Sequence, residues 1–369
     1  MTETRPVHIL ALGGDGIGPE VTAQALRVLR HMQARHGLDL VVEERPYGNA
    51  VWRETGRLLP AETEAVLERT DAVLFGAADS LGRGAVSPEE RARGSLLALR
   101  RRLGLFANLR PVRAERALDE VSPFKPRILA GVDLVFVREL SGGVNYGEPR
   151  GIERHPDGAR RGVNTHVYTE DQIIRAARFA FALARGRRGR LTSVDKANVM
   201  EAGALWRQVV TALHQDEFRD ITLDHMLADT CALMIGRDPQ RFDVVLTDNL
   251  FGDLLSDGAA ALAGSLGLLP SASLSAPAPD GRRRALYEPV HGSAPDIAGR
   301  GVANPLAAIL SVALLLRWSA GAEEAAREVE AAVSAALHAG ARTADIALPG
   351  EAVVGTAAMG DAVLARLAG

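Results

Sequence analysis

The chain has 369 residues, 47 % of them hydrophobic and 24 % charged, an ordinary globular balance in a length that predicts two domains. A formal net charge of −3 offers no basic field for nucleic acid, and a single cysteine, Cys231, excludes an intrachain disulfide and suits a reducing compartment. The N-terminal residues lack a signal-peptide pattern, and the apolar run from Pro305 to Leu316 is too short to span a bilayer. A cytoplasmic protein with no membrane or nucleic-acid partner is expected.

In chain order, the spacing predicts a strand over Val7–Leu12, a glycine loop, and a helix from about Pro19 to Arg35. A strand over Leu40–Glu44, a helix from about Pro60 to Arg69 and a strand over Ala72–Phe75 follow. Val132–Val137 and Asp243–Thr247 read as buried strands. Between them, Glu170–Arg185, Met200–Gln215 and Asp224–Ile235 read as amphipathic helices. The basic cluster Arg185–Arg190 reads as a solvated helix end, Ser271–Arg284 as a surface loop, and Ala322–His338 as a surface helix. This alternation predicts an α/β fold.

Several clusters carry possible chemistry. Gly13-Gly14-Asp15-Gly16-Ile17-Gly18-Pro19 lies between a strand and a helix, where glycines let a ligand approach a helix N-terminus or simply make a tight turn. It is not a Rossmann fingerprint, because Pro19 takes the place of the last glycine. In Asn249-Leu250-Phe251-Gly252-Asp253-Leu254-Leu255-Ser256-Asp257, a helix starting near Gly252 would set Asp253 and Asp257 one turn apart. Such a pair calls for a bridging cation with oxygen ligands, Asp229 being a possible third, or else the carboxylates are solvated. Lys196 sits between a strand and a helix, where burial would make it a usable base. Arg100, Arg110 and Arg138 suit carboxylate capture, the last two at expected strand ends. The loop His291-Gly292-Ser293-Ala294-Pro295-Asp296-Ile297 could hold an adenosine, with Asp296 on a ribose hydroxyl favouring NAD over NADP.

Seven segments in order, from GDGIGPEV through FANLRPV, VDKANVMEAG and NLFGDLLSD to YEPVHGSAPDIAG, resemble the β-decarboxylating dehydrogenases, most closely their isopropylmalate branch. The resemblance implies an isopropylmalate/isocitrate dehydrogenase-like two-domain fold with a central mixed sheet. Residues 1–105 and 264–369 would form a large cofactor-side domain, and 106–263 a small domain for substrate, metal and dimer contact, with the active site in the cleft. It implies a homodimer with shared sites. Arg100, Arg110, Arg138 and Asp229 would meet the substrate, Leu96 and Leu97 its alkyl group. Asp253 and Asp257, with Asp229 of a second copy, would bind Mg2+ or Mn2+, and Lys196, also from the second copy, would be the general base. Asn198 would lie near the nicotinamide, and His291–Ile297 with Asn304 near adenosine. The implied reaction is NAD-dependent oxidative decarboxylation of a 3-substituted malate, first of all 3-isopropylmalate.

Two positions depart from the pattern. Asn145 stands where the family places a proton-donating tyrosine, which leaves Tyr146, one residue on, as the expected donor at C3. Arg93 replaces a glutamate, and the loop Gly76-Ala77-Ala78-Asp79-Ser80 also differs. Arg93 raises the alternative of an anionic substituent, as in a homoisocitrate-like or phosphonomethylmalate-like substrate. A non-catalytic regulatory paralogue is the alternative of another class.

Overall fold

The computed structural model describes residues 5–79 and 86–368, so Ser80 of the departing loop lies outside the described residues. Its strands, in chain order, are β1 (Val7–Gly14), β2 (Leu40–Glu44), β3 (Ala72–Ala77), β4 (Leu105–Arg113), β5 (Asp133–Glu139) and β6 (Gly147–Arg154). They continue as β7 (Arg160–Thr165), β8 (Arg190–Asp195), β9 (Thr222–Leu227), β10 (Val244–Thr247), β11 (Pro270–Ser275) and β12 (Ala285–Pro289). The chain divides into two compact units: Met1–Leu105, Glu115–Pro123 and Ala263–Gly369 form the first, Phe106–Ala114 and Phe124–Leu262 the second. The segment Glu115–Pro123, expected with the small domain, clusters with the first unit. There Glu115 accepts a hydrogen bond from Ser334 and the Ala117 carbonyl one from Arg342.

The first unit holds strands in the order β2-β1-β3-β12-β11, all parallel but the last pair. Every residue of β3 is buried, as the continuous apolar run Ala-Val-Leu-Phe-Gly-Ala requires of a parallel strand covered on both faces. The apolar run after Pro305 is a core helix, Leu306–Trp318, buried on nearly all sides and packed on β11, β12 and the helix Gly18–His36. No helix among the described residues is long and apolar enough to cross a membrane. The expected loop over Ser271–Arg284 begins instead as β11. Its small residues Ser271, Ala272 and Ser273 are buried in the sheet, where a helix packs closely, and the Ser271 hydroxyl donates to the Glu288 carbonyl. Smallness, which read as a loop, here serves close packing.

The second unit orders its strands β4-β5-β10-β8-β9; only β4–β5 is antiparallel, so this sheet is mixed too. β6 and β7 pair as a separate antiparallel ribbon, largely exposed. The helix Glu170–Arg185 has its predicted bounds, because Thr169 and Gln172 cap each other reciprocally and Ile173, Ala176, Ala177, Ala180, Phe181 and Ala184 recur on one face. The predicted helix over Asp224–Ile235 is corrected: Thr222–Leu227 is a strand, parallel to β8, and the helix runs Ala228–Arg237. Pairing with a formed neighbour outweighs a local helical pattern. Arg187 also departs from the solvated reading of its cluster, since it bridges Asp133 at 2.9 Å and the fully buried Asp243 at 2.8 Å.

Candidate active site

Arg110 and Arg138 lie on neighbouring antiparallel strands, where Arg110 is opposite Phe136 and Arg138 opposite Asn108. Arg110 is inside β4 rather than at its end, contrary to expectation, while Arg138 is the penultimate residue of β5. Both are buried, and burying two guanidinium groups is costly unless each charge is met. The facing helix, Asn249–Ala263, supplies the partners. It begins three residues before the predicted Gly252, so Asp253 and Asp257 project from its second and third turns. Asp253 Oδ1 accepts from Arg110 Nη2 at 2.9 Å and from Arg138 Nη1 at 2.6 Å, and Asp257 Oδ1 from Arg110 Nη1 at 2.6 Å. Asn108 and Ser256 complete the coordination of Arg110.

Asp253 and Asp257 keep about half their side-chain surface exposed, 45 % and 51 %, so the pair is accessible while the arginines are not. Partial burial raises the Asp257 carboxyl, with the Asp253 charge adding to the rise and the arginines opposing it. These are hard oxygen donors one turn apart, a donor set that fits Mg2+ or Mn2+. They form only part of a shell: no group of three or more potential ligands occurs among the described residues. Asp229 is elsewhere in the unit, on the first turn of Ala228–Arg237, where its Oδ1 accepts from Lys196 Nζ at 2.7 Å. That hydrogen bond holds the Asp229 carboxyl below its usual range.

Lys196 follows β8, as predicted, in a turn braced by Asp195. The buried Asp195 carboxylate accepts from the Ala197 amide at 3.0 Å and from both ends of Arg207 at 2.9 Å. Asn198 is exposed on this turn. Cys231, on the Asp229 helix, is buried with its thiol pushed up to about 12, and is therefore inert.

In the first unit, Arg100 lies in the last turn of the short helix Leu96–Arg102, whose N-terminus the Ser95 hydroxyl caps. Its Nη2 donates to the buried Glu288 Oε1 at 2.6 Å. Leu97 is 43 % exposed and Leu96 half-buried, so neither is used up by the core. Arg93 is held among acidic neighbours: its guanidinium meets Glu64 at 3.1 Å, Glu90 at 3.5 Å and the Leu59 carbonyl at 2.9 Å.

The glycine loop serves packing rather than open approach. Gly16 has φ +58°, and a Cβ there would lie 1.9 Å from the Ser293 carbonyl oxygen. That carbonyl accepts from the Ile17 amide at 2.8 Å, tying the loop to His291–Ile297. In the latter, Ala294 has a left-handed φ of 38°, and Asp296 is exposed. His291 Nδ1 contacts the Gly292 carbonyl, while its buried Nε2 has no partner in the structure. Burial lowers the imidazole pKa, so the ring is neutral and can offer that nitrogen to a base edge, which fits an adenosine. Asn304 is engaged structurally: its Nδ2 donates to Asp345 and its Oδ1 accepts from the Leu306 amide at the helix start.

Sequence reasoning missed Asn249. Its side chain, 1 % exposed, accepts from Arg138 Nη2 at 2.8 Å and from Asn145 Nδ2 at 3.1 Å, and donates to the Leu140 and Gly142 carbonyls. Its position at a strand–helix junction was the only available signal. The short 3-10 turn Gly143–Asn145 brings Asn145 to it, and Tyr146 follows, half-buried, at the end of that turn.

A family model described as isocitrate/isopropylmalate dehydrogenase matches residues 8–363. The chain is 52 % identical over 366 residues to the 3-isopropylmalate dehydrogenase 1 of Bradyrhizobium diazoefficiens, covering 99 % of this chain and 97 % of that protein. It is 54 % identical over 362 residues to the 3-isopropylmalate dehydrogenase of Symbiobacterium thermophilum, covering 98 % of each. Among solved structures, the isocitrate dehydrogenase of Methylococcus capsulatus superposes with a TM-score of 0.84 at 33 % identity, covering 98 % of this chain and 99 % of that one. The chain belongs to the isocitrate/isopropylmalate dehydrogenase family, a fold distinct from the Rossmann dinucleotide fold.

Proposed function

We propose that this chain is an NAD-dependent enzyme converting 3-isopropylmalate to 2-oxoisocaproate and carbon dioxide, the leucine-biosynthesis type of reaction, in the cytoplasm. The observation that carries the reading is the buried Arg110–Arg138 pair against accessible Asp253 and Asp257, in a chain about half identical to relatives named for that substrate. Leu96 and Leu97, neither used up by the core, suit an isopropyl group. Retention of Lys196, Asp229, Asp253 and Asp257 argues against a regulatory paralogue.

Bound NAD would supply the hydride acceptor, and Mg2+ or Mn2+ would supply positive charge to stabilise the negative charge that develops on oxygen. The chain's residues do the rest. Asp253 and Asp257, joined by Asp229 of a second copy in a homodimer, would hold the cation. Arg100, Arg110 and Arg138 bind the substrate carboxylates, giving up part of their carboxylate pairing to do so. Lys196 of that second copy takes the C2 hydroxyl proton as hydride leaves C2, and the neighbouring Asp229 stabilises the resulting ammonium. The β-keto acid then loses carbon dioxide, and one proton returns at C3. An asparagine amide has no proton of useful acidity, so that delivery falls to the phenol of Tyr146. Asn198 borders the nicotinamide, while His291, Gly292, Ser293, Ala294, Pro295, Asp296, Ile297 and Asn304 border adenosine.

The test is a panel of 3-isopropylmalate, homoisocitrate, isocitrate and tartrate with added Mn2+, reading NADH and carbon dioxide separately. NADH and carbon dioxide in equal yield, greatest with 3-isopropylmalate and lost with chelator, are expected. Preference for homoisocitrate or no metal-dependent NADH would overturn the reading. Tyr146→Phe is expected to keep the hydride step while slowing protonation at C3 by roughly 100-fold. Unchanged proton delivery would remove Tyr146 from the scheme.

A further inference from the structure

We infer that Asn145 and Asn249 form a paired-amide clamp that positions Arg138, so that the residue standing in place of the family tyrosine has a role of its own. The inference rests on the reading of Arg138 as a ligand of a substrate carboxylate.

The clamp is visible atom by atom. Arg138 donates through Nε to the Asn249 backbone carbonyl at 2.8 Å and to its Oδ1 at 3.2 Å, and through Nη2 to the same Oδ1 at 2.8 Å. One edge of the guanidinium is thereby gripped by a single residue, and Nη1 is left for Asp253. The amide of Asn249 cannot be turned over without loss: its Nδ2 faces the Leu140 and Gly142 carbonyls, and its Oδ1 faces only donors. Its backbone amide donates to the buried Tyr168 hydroxyl at 2.8 Å, which fixes the start of the helix. Asn145 Nδ2 is the third donor to Oδ1, at 3.1 Å, and closes the hub from the turn that follows β5.

Neutral amides suit this task. A carboxylate at position 249 would face two carbonyl oxygens and add a second negative charge against Arg138 beside Asp253, whereas an amide orients the guanidinium without adding charge. Asn145 and Asn249 are thus positioning residues, acting through Arg138.

Asn145→Ala tests the clamp, because the side chain is only half-buried on a turn and its removal leaves the core intact. The KM for 3-isopropylmalate is expected to rise roughly threefold to tenfold, the effect of losing one hydrogen bond. The kcat, the KM for NAD and the melting temperature are expected to stay close to wild type. In an Arg138→Lys background, where the gripped edge is gone, Asn145→Ala should have no further effect. A readout independent of substrate is hydrogen exchange at Arg138 Nε–H by NMR, expected to quicken in Asn145→Ala. An unmoved KM in an enzyme active on 3-isopropylmalate, additive effects in the double variant, or unchanged exchange would each overturn the clamp. Failure of the wild type to oxidise 3-isopropylmalate would instead overturn the functional reading, and the exchange measurement would still decide the clamp.

Discussion

Single residues carry the departures that matter most here. Asn145 and Tyr146 are adjacent, yet one is drawn into the Arg138 network by its amide and the other offers a phenol. His291 shows how burial of one atom defines a state. Its pKa lies below the unfolded value of 6.5 because burial penalises the charged ring. A proton therefore binds the unfolded chain more tightly than the folded one, and the loop loses stability as pH falls from that value through the lower folded one. Dinucleotide affinity is expected to weaken over the same fall in pH, and His291→Asn to flatten the profile. Titrating NAD binding between about pH 5 and 8 checks this; an equal slope in both proteins would assign the dependence elsewhere.

At the scale of elements, the helix Asn249–Ala263 organises half the site, and Gly252 lets it do so. A Cβ at Gly252 would lie 2.3 Å from Thr247 Oγ1 and 2.7 Å from Arg138 Cγ. Gly252→Ala is expected to cost about 1–3 kcal/mol through overpacking and to displace Arg138. A lowered melting temperature together with a raised KM for the malate would show both; unchanged values would mean the stem of Arg138 can yield. The strand Thr222–Leu227 carries the contrasting lesson. Its residues have a helical spacing, but hydrogen bonds to β8 decide its conformation, and only beyond it does the helix bearing Asp229 begin.

At the scale of the molecule, the proposed metal ligands make a strong prediction. Asp229 pairs with Lys196, whereas Asp253 and Asp257 pair with Arg110 and Arg138, and in the proposed homodimer each site would draw on both groups from two copies. Exposed Leu233 and Leu254, on the helices bearing Asp229 and Asp253, are candidates for that contact. Lys196→Ala and Asp253→Asn should each be inactive alone. After unfolding and refolding together, mixed dimers would hold one intact site of two, restoring about a quarter of wild-type activity by random pairing. No recovery despite demonstrated mixed dimers would exclude shared sites.

The sequence by itself determined the class of the protein: ordered motifs brought out the family, and alternating strands and helices brought out the α/β fold, because local periodicity follows directly from burial. It also singled out the arginines, aspartates and Lys196, since charged residues beside apolar runs stand out without a structure. Only the tertiary structure decided that Arg93 is engaged by Glu64 and Glu90, that Ser271–Ser275 is a buried strand, and that Asn249 is the partner of Arg138. Each depends on a neighbour distant in sequence: Arg138 and Asn249 are 111 residues apart, and their hydrogen bonds exist only once β5 lies against the start of the helix. Local pattern encodes which face is buried; it does not encode which buried polar group will be there to meet it.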